Sequence, residues 1–105
     1  MRSAPKLSHT AALILQAIHS GCVYGYSLME LTGLPSGTVY PALRRLEQES
    51  LIRSNWESQD LADAGQRPPR KYYEITSVGL STLEASRKRY PLLDRLLPTA
   101  KGAAE

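Results

Sequence analysis

The stretch SGTVYPALRRLEQESLI, residues 36–52, changes its apolar period within one short run. The apolar residues of its first part recur at helical spacing, and they are Val39, Leu43 and Leu46. From Leu51 onward the side chains alternate as they do in a strand. Ser36 belongs to the residue types that cap helix starts, so we predict a helix over about Ser36–Glu49 that leads directly into a strand.

Two shorter helical patterns precede this run. The first covers about residues 9 to 20, between Ser8 as a cap and Gly21 as a stop. The second begins near Tyr26 and ends at Gly33 after about two turns. Three short helices joined by turns that contain glycine are the arrangement of a helix-turn-helix.

A second extended segment, Lys71–Thr76, also alternates and is rich in aromatic and β-branched residues. We therefore expect it to pair with the first strand in a hairpin, which Trp56 would help to cover. The residues between the two strands contain Gly65, Pro68 and Pro69 and no apolar period. This composition predicts a long exposed loop.

The chain continues into one more helical pattern, which Thr76 or Ser77 can cap. Pro91 either bends this helix or ends it and starts another. The complete order of elements predicts a mainly α fold with a small antiparallel β-hairpin. Three helices, a hairpin and a further helix are the order of a winged helix-turn-helix domain with a C-terminal helix.

The composition fits one small basic domain. The 105 residues are 42% apolar and carry 13 Lys and Arg against 10 Asp and Glu, a formal charge of +3, which permits nucleic acid as a partner without proving it. Cys22 is the only cysteine, so we expect no internal disulfide, and a reducing, cytoplasmic setting fits best. The longest apolar stretch, about Ala11–Ile18, is shorter than the roughly 20 residues that cross a bilayer, so no membrane partner is expected.

No pattern in the sequence indicates catalysis, a metal or a cofactor. His9 and His19 lie too far apart for one helix turn, and neither has a carboxylate at ligand spacing. Cys22 lacks an organised partner that would make it a nucleophile. Gly33 and Gly37 fit a turn and a helix start rather than a phosphate-binding loop. We therefore expect a protein that is not an enzyme, with no catalytic residue, metal or cofactor.

The helix over residues 36–49 is the first candidate for DNA binding. Its polar and aromatic candidates are Ser36, Thr38, Tyr40, Arg44 and Arg45. An arginine can fork onto guanine O6 and N7 or onto a phosphate, and a phenol can donate to a phosphate. Alternatively the two arginines solvate the helix and pair with Glu47 and Glu49, and the phenol has a partly buried structural role.

The return side of the hairpin is the second candidate for DNA binding. It contains Arg67, Arg70 and Lys71, and no acidic residue lies between Ala64 and Tyr73. Such a cluster can contact phosphates or place an arginine in a narrow minor groove. Alternatively these charges only keep an exposed loop soluble.

Three segments resemble the PadR family of bacterial transcriptional regulators across about residues 11 to 84, and they are YGYSLMEL, LPSGTVYPALRRLEQESLI and RPPRKYYEITSVG. The matching motifs are Gly25-Tyr26, Ser36 to Leu43 and Pro69 to Tyr73. Two features depart from the usual family pattern. Ser50 replaces a glycine, which can strain the helix-to-strand turn, and the loop of the hairpin is longer and contains DLADAG.

The resemblance implies a homodimeric, sequence-specific DNA-binding repressor with a palindromic operator, released in some members by a small-molecule effector. It also implies that the helix after the hairpin builds the dimer, as in the short subgroup without a separate C-terminal domain. The apolar residues expected at this dimer contact are Leu80, Leu83, Tyr90, Leu93 and Leu97. Alternatively this stripe belongs to the core of one chain.

The remaining alternative function is a winged-helix interaction module that binds another regulator and shows no salt-sensitive DNA binding. The predicted units are an N-terminal segment at residues 1–8, a winged helix-turn-helix domain at residues 9–76, a C-terminal dimerisation helix at residues 77–97 and a flexible tail at residues 98–105.

Overall fold

The computed structural model describes residues 6–21 and 24–96, so the tail predicted at residues 98–105 and Cys22 lie outside the described residues. The helices are α1 (His9–His19), α2 (Gly25–Thr32), α3 (Ser36–Gln48), α4 (Gln59–Ala64), α5 (Ser77–Arg89) and α6 (Leu93–Leu96), and the strands are β1 (Ile52–Trp56) and β2 (Lys71–Ile75). The predicted fold class, mainly α with a small antiparallel hairpin, is confirmed. Within the described ranges, no helix has the length and apolar content needed to cross a bilayer.

Several helix boundaries carry the end groups that the sequence indicated. At the start of α1, the Ser8 hydroxyl accepts the Ala11 amide at 3.1 Å. At the start of α5, the Thr76 hydroxyl accepts the Gly79 amide at 3.0 Å. Helix α2 ends at Gly33, whose φ of 73° lies in the left-handed region that glycine adopts without strain.

The start of α3 differs from the prediction by one residue. Pro35 is the N-cap, and its carbonyl oxygen accepts the amides of Thr38 and Val39. The prediction that Ser36 caps this helix is therefore wrong, because Ser36 is already its first residue. Pro41 lies in the second turn of α3, and its nitrogen carries no hydrogen to donate to the carbonyl oxygen of Gly37 four residues earlier.

One core joins the helices and the hairpin, with α1 in contact with α2, α3, α5, α6 and β2. The apolar face predicted for α3 is buried in this core, as Val39, Leu43 and Leu46 show. Ile14 and Leu15 of α1 are fully buried beside them. Burial of a side chain of this size stabilises the fold by about 1.5–3 kcal/mol.

The two strands form the hairpin that the alternating pattern predicted. They pair antiparallel, with Ile52 opposite Ile75 and Trp56 opposite Lys71. The backbone of Tyr24, just before α2, forms an isolated bridge with Tyr72 of β2. We call residues 52–75 the wing, and this bridge joins the wing to the start of α2.

The turn from α3 into β1 requires a left-handed residue, and Ser50 takes that conformation with a φ of 63°. The amides of Ser50 and Leu51 donate to the carbonyl oxygens of Glu47 and Leu46, each at 3.0 Å, which closes the C-terminal end of the helix. Glycine adopts a positive φ at lower cost, so the strain expected from the serine at this position is confirmed.

The prediction of an exposed loop between the strands is wrong for residues 59–64, which form α4. Ser58 caps this helix by accepting the Leu61 amide at 3.2 Å, and Ala62 is fully buried. Gln66 follows with a φ of 55° and reverses the chain toward β2. A helix of 6 residues is too short to show a helical period in the sequence.

The long C-terminal helix ends just before Pro91 and a new helix starts after it, so Pro91 does not merely bend one continuous helix. Tyr90 before it has a φ of −124° and a ψ of 80°, because a residue that precedes proline is kept out of the helical region. Helix α6 then packs against α1, and Leu93 is fully buried there. The Gln16 side-chain amide of α1 also donates to Asp94 at 3.3 Å.

The apolar stripe expected at the dimer contact is only partly exposed. Leu83 and Leu93 lie in the core of their own chain, so the expectation that the chain leaves them uncovered is wrong. Tyr90 is half-buried, and its hydroxyl donates to a backbone carbonyl just before α1. Leu80 is exposed, and Leu97 lies outside the described residues.

Candidate nucleic-acid interface

An open groove of about 570 Å³ lies between α2, α3 and the wing. It is lined by Tyr24, Gly25, Tyr26, Tyr40, Arg44, Glu47, Trp56, Pro69, Arg70, Lys71 and Tyr73. Four of the 6 tyrosines of the chain and its 1 tryptophan are among these residues. Cations and hydroxyl donors on one surface are suited to the phosphates of a nucleic acid.

The two arginines of α3 have different surroundings. Arg44 lines the groove, is exposed, and makes no ion pair with any residue of the described chain. Arg45 has a side chain that is 75% exposed, and its Nε lies 2.9 Å from Glu49 Oε2. Glu47 instead accepts the Ser54 hydroxyl at 2.6 Å. The alternative interpretation, in which each arginine pairs with a glutamate of the same helix, is therefore correct for Arg45 but not for Arg44.

Tyr40 combines a structural contact with an accessible ring. Its ring lies against the backbone of Gly25 at the start of α2, and 45% of the residue is exposed. Behind it, burial raises the pKa of Tyr73, and the negative charge of Glu47 acts in the same direction. Tyr73 therefore remains a neutral phenol beneath the groove, whereas Tyr40 is accessible at the groove surface.

Two cations of the wing reach the same groove as Arg44. The Arg70 guanidinium lies 4.3 Å from the centroid of the Tyr24 ring, a cation–π contact. The Lys71 ammonium lies 5.8 Å from the centroid of the Trp56 ring. The expectation that Trp56 covers the hairpin is wrong, since this residue is 68% exposed.

Arg67, the third predicted cation of the wing, is bound to Glu57. Both of its terminal nitrogens donate to this carboxylate, Nη2 to Oε2 at 2.8 Å and Nη1 to Oε1. The carboxylate also accepts the Tyr72 hydroxyl at 3.1 Å and the Arg70 backbone amide at 3.3 Å. The hydrogen bonds from Arg67 above all, and those from Tyr72 and Arg70, lower the pKa of Glu57 to about 2 although burial opposes the shift.

The structure brings some of the predicted DNA-binding residues together and leaves others apart. Those that line the groove are Tyr40, Arg44, Arg70 and Lys71. Those that lie elsewhere are Ser36 and Thr38 at the start of α3, Arg45 on a separate surface beside Lys6, and Arg67 against Glu57. Their contacts with DNA stay predictions.

Sequence reasoning missed several residues of this region, among them Tyr24, Tyr26 and Glu57. Tyr26 is exposed at the groove, and the Gly25-Tyr26 motif was its only signal. Glu57 stands ten residues from Arg67, and side chains so far apart along one helix or strand cannot meet, so only the folded wing relates the two. Among the described residues, no group of three or more His, Cys, Asp and Glu side chains is placed to hold a metal ion.

Comparison with known proteins assigns the chain to a family. The family model described as the Transcriptional regulator PadR-like family matches residues 14–85. The chain belongs to this PadR-like family. The matched range contains α2, α3 and the entire wing, so the resemblance carried by the three sequence motifs is confirmed. A search of curated proteins finds no match.

Solved structures of other PadR-like regulators share the fold. A PadR family transcription regulator from Clostridium difficile is 26% identical, with a TM-score of 0.69 over 85% of this chain and 94% of that one. A PadR-like regulator from Bacillus cereus is 32% identical, with a TM-score of 0.62 over 81% and 84% of the two chains. One from Eggerthella lenta is 28% identical, with a TM-score of 0.62 over 82% and 76%. This PadR-like chain is thus a winged-helix transcriptional regulator, which implies regulation through DNA binding.

Proposed function

We propose that this PadR-like regulator represses transcription as a homodimer that binds a palindromic operator, with α3 in the major groove and the wing against the adjacent backbone. The observation that carries the proposal is that Arg44 of α3 lines one groove with Arg70 and Lys71 of the wing. Cations from both elements on one surface support simultaneous contact with base edges and flanking phosphates.

Arg44 is the proposed base-reading residue. Its guanidinium is exposed and bound by no described carboxylate, so it is available to fork onto guanine O6 and N7. Arg45 is proposed to bind a phosphate, because an exposed ion pair such as that with Glu49 contributes only about 0–1 kcal/mol and is readily exchanged. Ser36 and Thr38, at the first turn of α3, are proposed to contact the backbone beside it.

The dimer contact is proposed on the part of the C-terminal segment that the chain itself leaves exposed. Its apolar residues are Val78 and Leu80 of α5 and Leu92 after it. A twofold axis through this surface would repeat it on both copies, as a symmetric dimer requires. The two α3 helices would then lie about 34 to 36 Å apart if they enter successive turns on one side of the duplex.

Binding to DNA fragments selected from a genomic library tests the proposal. We expect log affinity to fall linearly with log salt, with a slope of about −0.9 for each phosphate contact. Arg44→Ala should relax the preference at one base pair by about 1–3 kcal/mol. Arg53→Ala is the matched control, because Arg53 is also exposed but pairs with Glu74 across the strands, outside the groove.

Two results would count against this function. Full sequence preference in the Arg44→Ala variant, measured by competition, would remove the base-reading role from Arg44. Absence of any salt-sensitive DNA binding by the unaltered protein would favour a winged-helix module that binds another regulator.

A further inference from the structure

We propose that Glu57 is the positioning residue of the wing and that Arg67 binds this carboxylate instead of a DNA phosphate. The inference rests on the proposed DNA-binding function and assigns roles within that same site. It is carried by the convergence of four donors on one carboxylate: two from the Arg67 guanidinium, the Arg70 backbone amide and the Tyr72 hydroxyl.

The contacts of Glu57 join three parts of the wing. Glu57 directly follows β1, Arg67 lies after α4, and Tyr72 belongs to β2. The backbone amide of Glu57 also donates to the Arg70 carbonyl oxygen at 2.7 Å. Both backbone polar groups of Arg70 are therefore held by Glu57, one by its side chain and one by its main chain.

This backbone position directs the Arg70 side chain to the groove. Its guanidinium lies over the Tyr24 ring at 4.3 Å, in the groove that Arg44 also lines. A loop free of Glu57 would sample many backbone conformations at this point, and binding DNA would have to restrict them at a cost in affinity. Glu57 restricts them before DNA arrives.

Arg67 contributes little net positive charge toward DNA. Its charge is matched by Glu57 within the same hydrogen-bonded pair, and the Glu57 side chain is only 5% exposed. Transfer of the guanidinium to a phosphate would leave this carboxylate poorly solvated and without its main partner, which is unfavourable. We therefore assign the phosphate contacts of the wing to Arg70 and Lys71, since the Lys71 ammonium lies 4.0 Å from Glu47 in a longer and more exposed pair than that of Arg67.

The direction in which Glu57→Gln changes DNA affinity distinguishes a positioning role of Glu57 from a purely electrostatic one. If Glu57 acted only as a negative charge near a DNA surface, Glu57→Gln would strengthen binding. If Glu57 positions the wing, the same substitution weakens binding although the protein gains one unit of positive charge. Glu74→Gln is the matched control, because Glu74 lies on the same hairpin in an exposed ion pair with Arg53.

The experiment measures the affinity of the full chain for one operator fragment over a range of salt concentrations. We expect Glu57→Gln to bind about tenfold more weakly, the effect of losing one charge-assisted pairing, and Glu74→Gln to bind as well as the parent or slightly better. Arg67→Ala should weaken binding without changing the salt slope. Arg70→Ala should flatten the slope by roughly one to two across a dimer.

The double variant Glu57→Gln, Arg67→Ala should bind no more weakly than the weaker single variant, because each change removes the same pair. Tighter binding by Glu57→Gln, or a flatter salt slope in Arg67→Ala, would overturn the proposal. If Glu57→Gln fails to fold, Arg67→Lys supplies the comparison, since lysine keeps the positive charge but cannot form two parallel hydrogen bonds to the carboxylate. This variant should bind DNA more weakly than the parent with an unchanged salt slope.

Hydrogen exchange in the absence of DNA tests the positioning of the wing by Glu57 independently of the proposed DNA-binding function. The Arg70 amide should exchange faster in Glu57→Gln than in the parent, and at the parent rate in Glu74→Gln. If the parent binds no DNA but the Arg70 amide behaves in this way, the DNA-binding function fails and the positioning of the wing stands. An Arg70 exchange rate unaffected by Glu57→Gln would refute the positioning of the wing even in a protein that binds DNA.

Discussion

The ring of Tyr40 occupies the space that a side chain at position 25 would need. A Cβ built on Gly25 would lie 2.7 Å from Tyr40 Cε1, closer than real Cβ contacts come. The contact joins the start of α2 to α3, the two helices that border the groove. Glycine at this position therefore lets the tyrosine ring lie against the start of α2, and any larger residue would require this half-exposed ring to move.

We expect Gly25→Ala to stabilise the protein less than the same change at an uncrowded helix position, because the half-exposed Tyr40 ring must rotate away from the new Cβ. Urea unfolding measures the change. Gly37→Ala in α3 is the control, because no atom lies within 4 Å of its Cβ position, and it should raise stability by about 0.5–1 kcal/mol. The difference between the two positions should shrink in a Tyr40→Ala background, and an equal difference in both backgrounds would contradict the packing argument.

The hydrogen bonds to Glu57 predict an acid-sensitive wing. Because the pKa of Glu57 falls from 4.5 to about 2 on folding, its stabilising effect is fully present above pH 4.5 and is lost as the pH falls toward 2. Fluorescence of Trp56, the residue before Glu57, should report this loss during an acid titration. Glu57→Gln should remove this part of the titration, and an identical acid transition in that variant would show that another group controls the wing.

The left-handed conformation of Ser50 predicts a stabilising substitution. Ser50→Gly should raise the free energy of unfolding by about 0.5–1 kcal/mol, because glycine adopts a φ of 63° without strain. Ser50→Ala keeps the strain and should give no such gain. Ser81→Gly, in the exposed middle of α5, should instead lower stability by about 0.5 kcal/mol, the difference in helix propensity between serine and glycine. If urea unfolding gave the same change in free energy for Ser50→Gly and Ser81→Gly, the explanation from the left-handed conformation of Ser50 would be wrong.

The two apolar surfaces of the C-terminal segment should respond differently to substitution. Leu83→Ala should lower the free energy of unfolding by about 2–5 kcal/mol, because Leu83 is buried within its own chain. Val78→Glu with Leu92→Glu should yield monomers by light scattering and leave urea unfolding of the monomer nearly unchanged, since both residues are exposed. A dimer that survives the paired substitution would place the contact elsewhere.

Some elements could be predicted because residues close to their ends in the sequence mark where they begin and end. Ser8 and Gly21 bracket α1, and the apolar spacing of α3 followed by alternation in β1 fixed the order of the winged fold. Helix α4 could not be predicted in this way, because its cap, Ser58, precedes too few residues for any period to emerge.

The candidate site was less predictable because its decisive contacts join distant parts of the chain. Arg67 was expected to contact phosphate since no acid lies between Ala64 and Tyr73, but the pairing of β1 with β2 brings Glu57 to it. Leu83 and Leu93 were expected to need a partner chain, yet both lie in the core of their own chain, where α5 and α6 each contact α1. A periodic pattern indicates that a face is buried without indicating which chain buries it.

Thr76 forms hydrogen bonds both to the turn that ends α3 and to the first turn of α5. Its hydroxyl lies 2.7 Å from the Ser50 carbonyl oxygen and accepts the Gly79 amide, while the backbone at Gly79 packs so closely on the Leu51 carbonyl that a Cβ there would collide with it. These contacts join the start of α5 directly to the turn that ends α3. A displacement of α5 by a neighbouring molecule would therefore reach the end of the helix that carries Arg44 without passing through the wing.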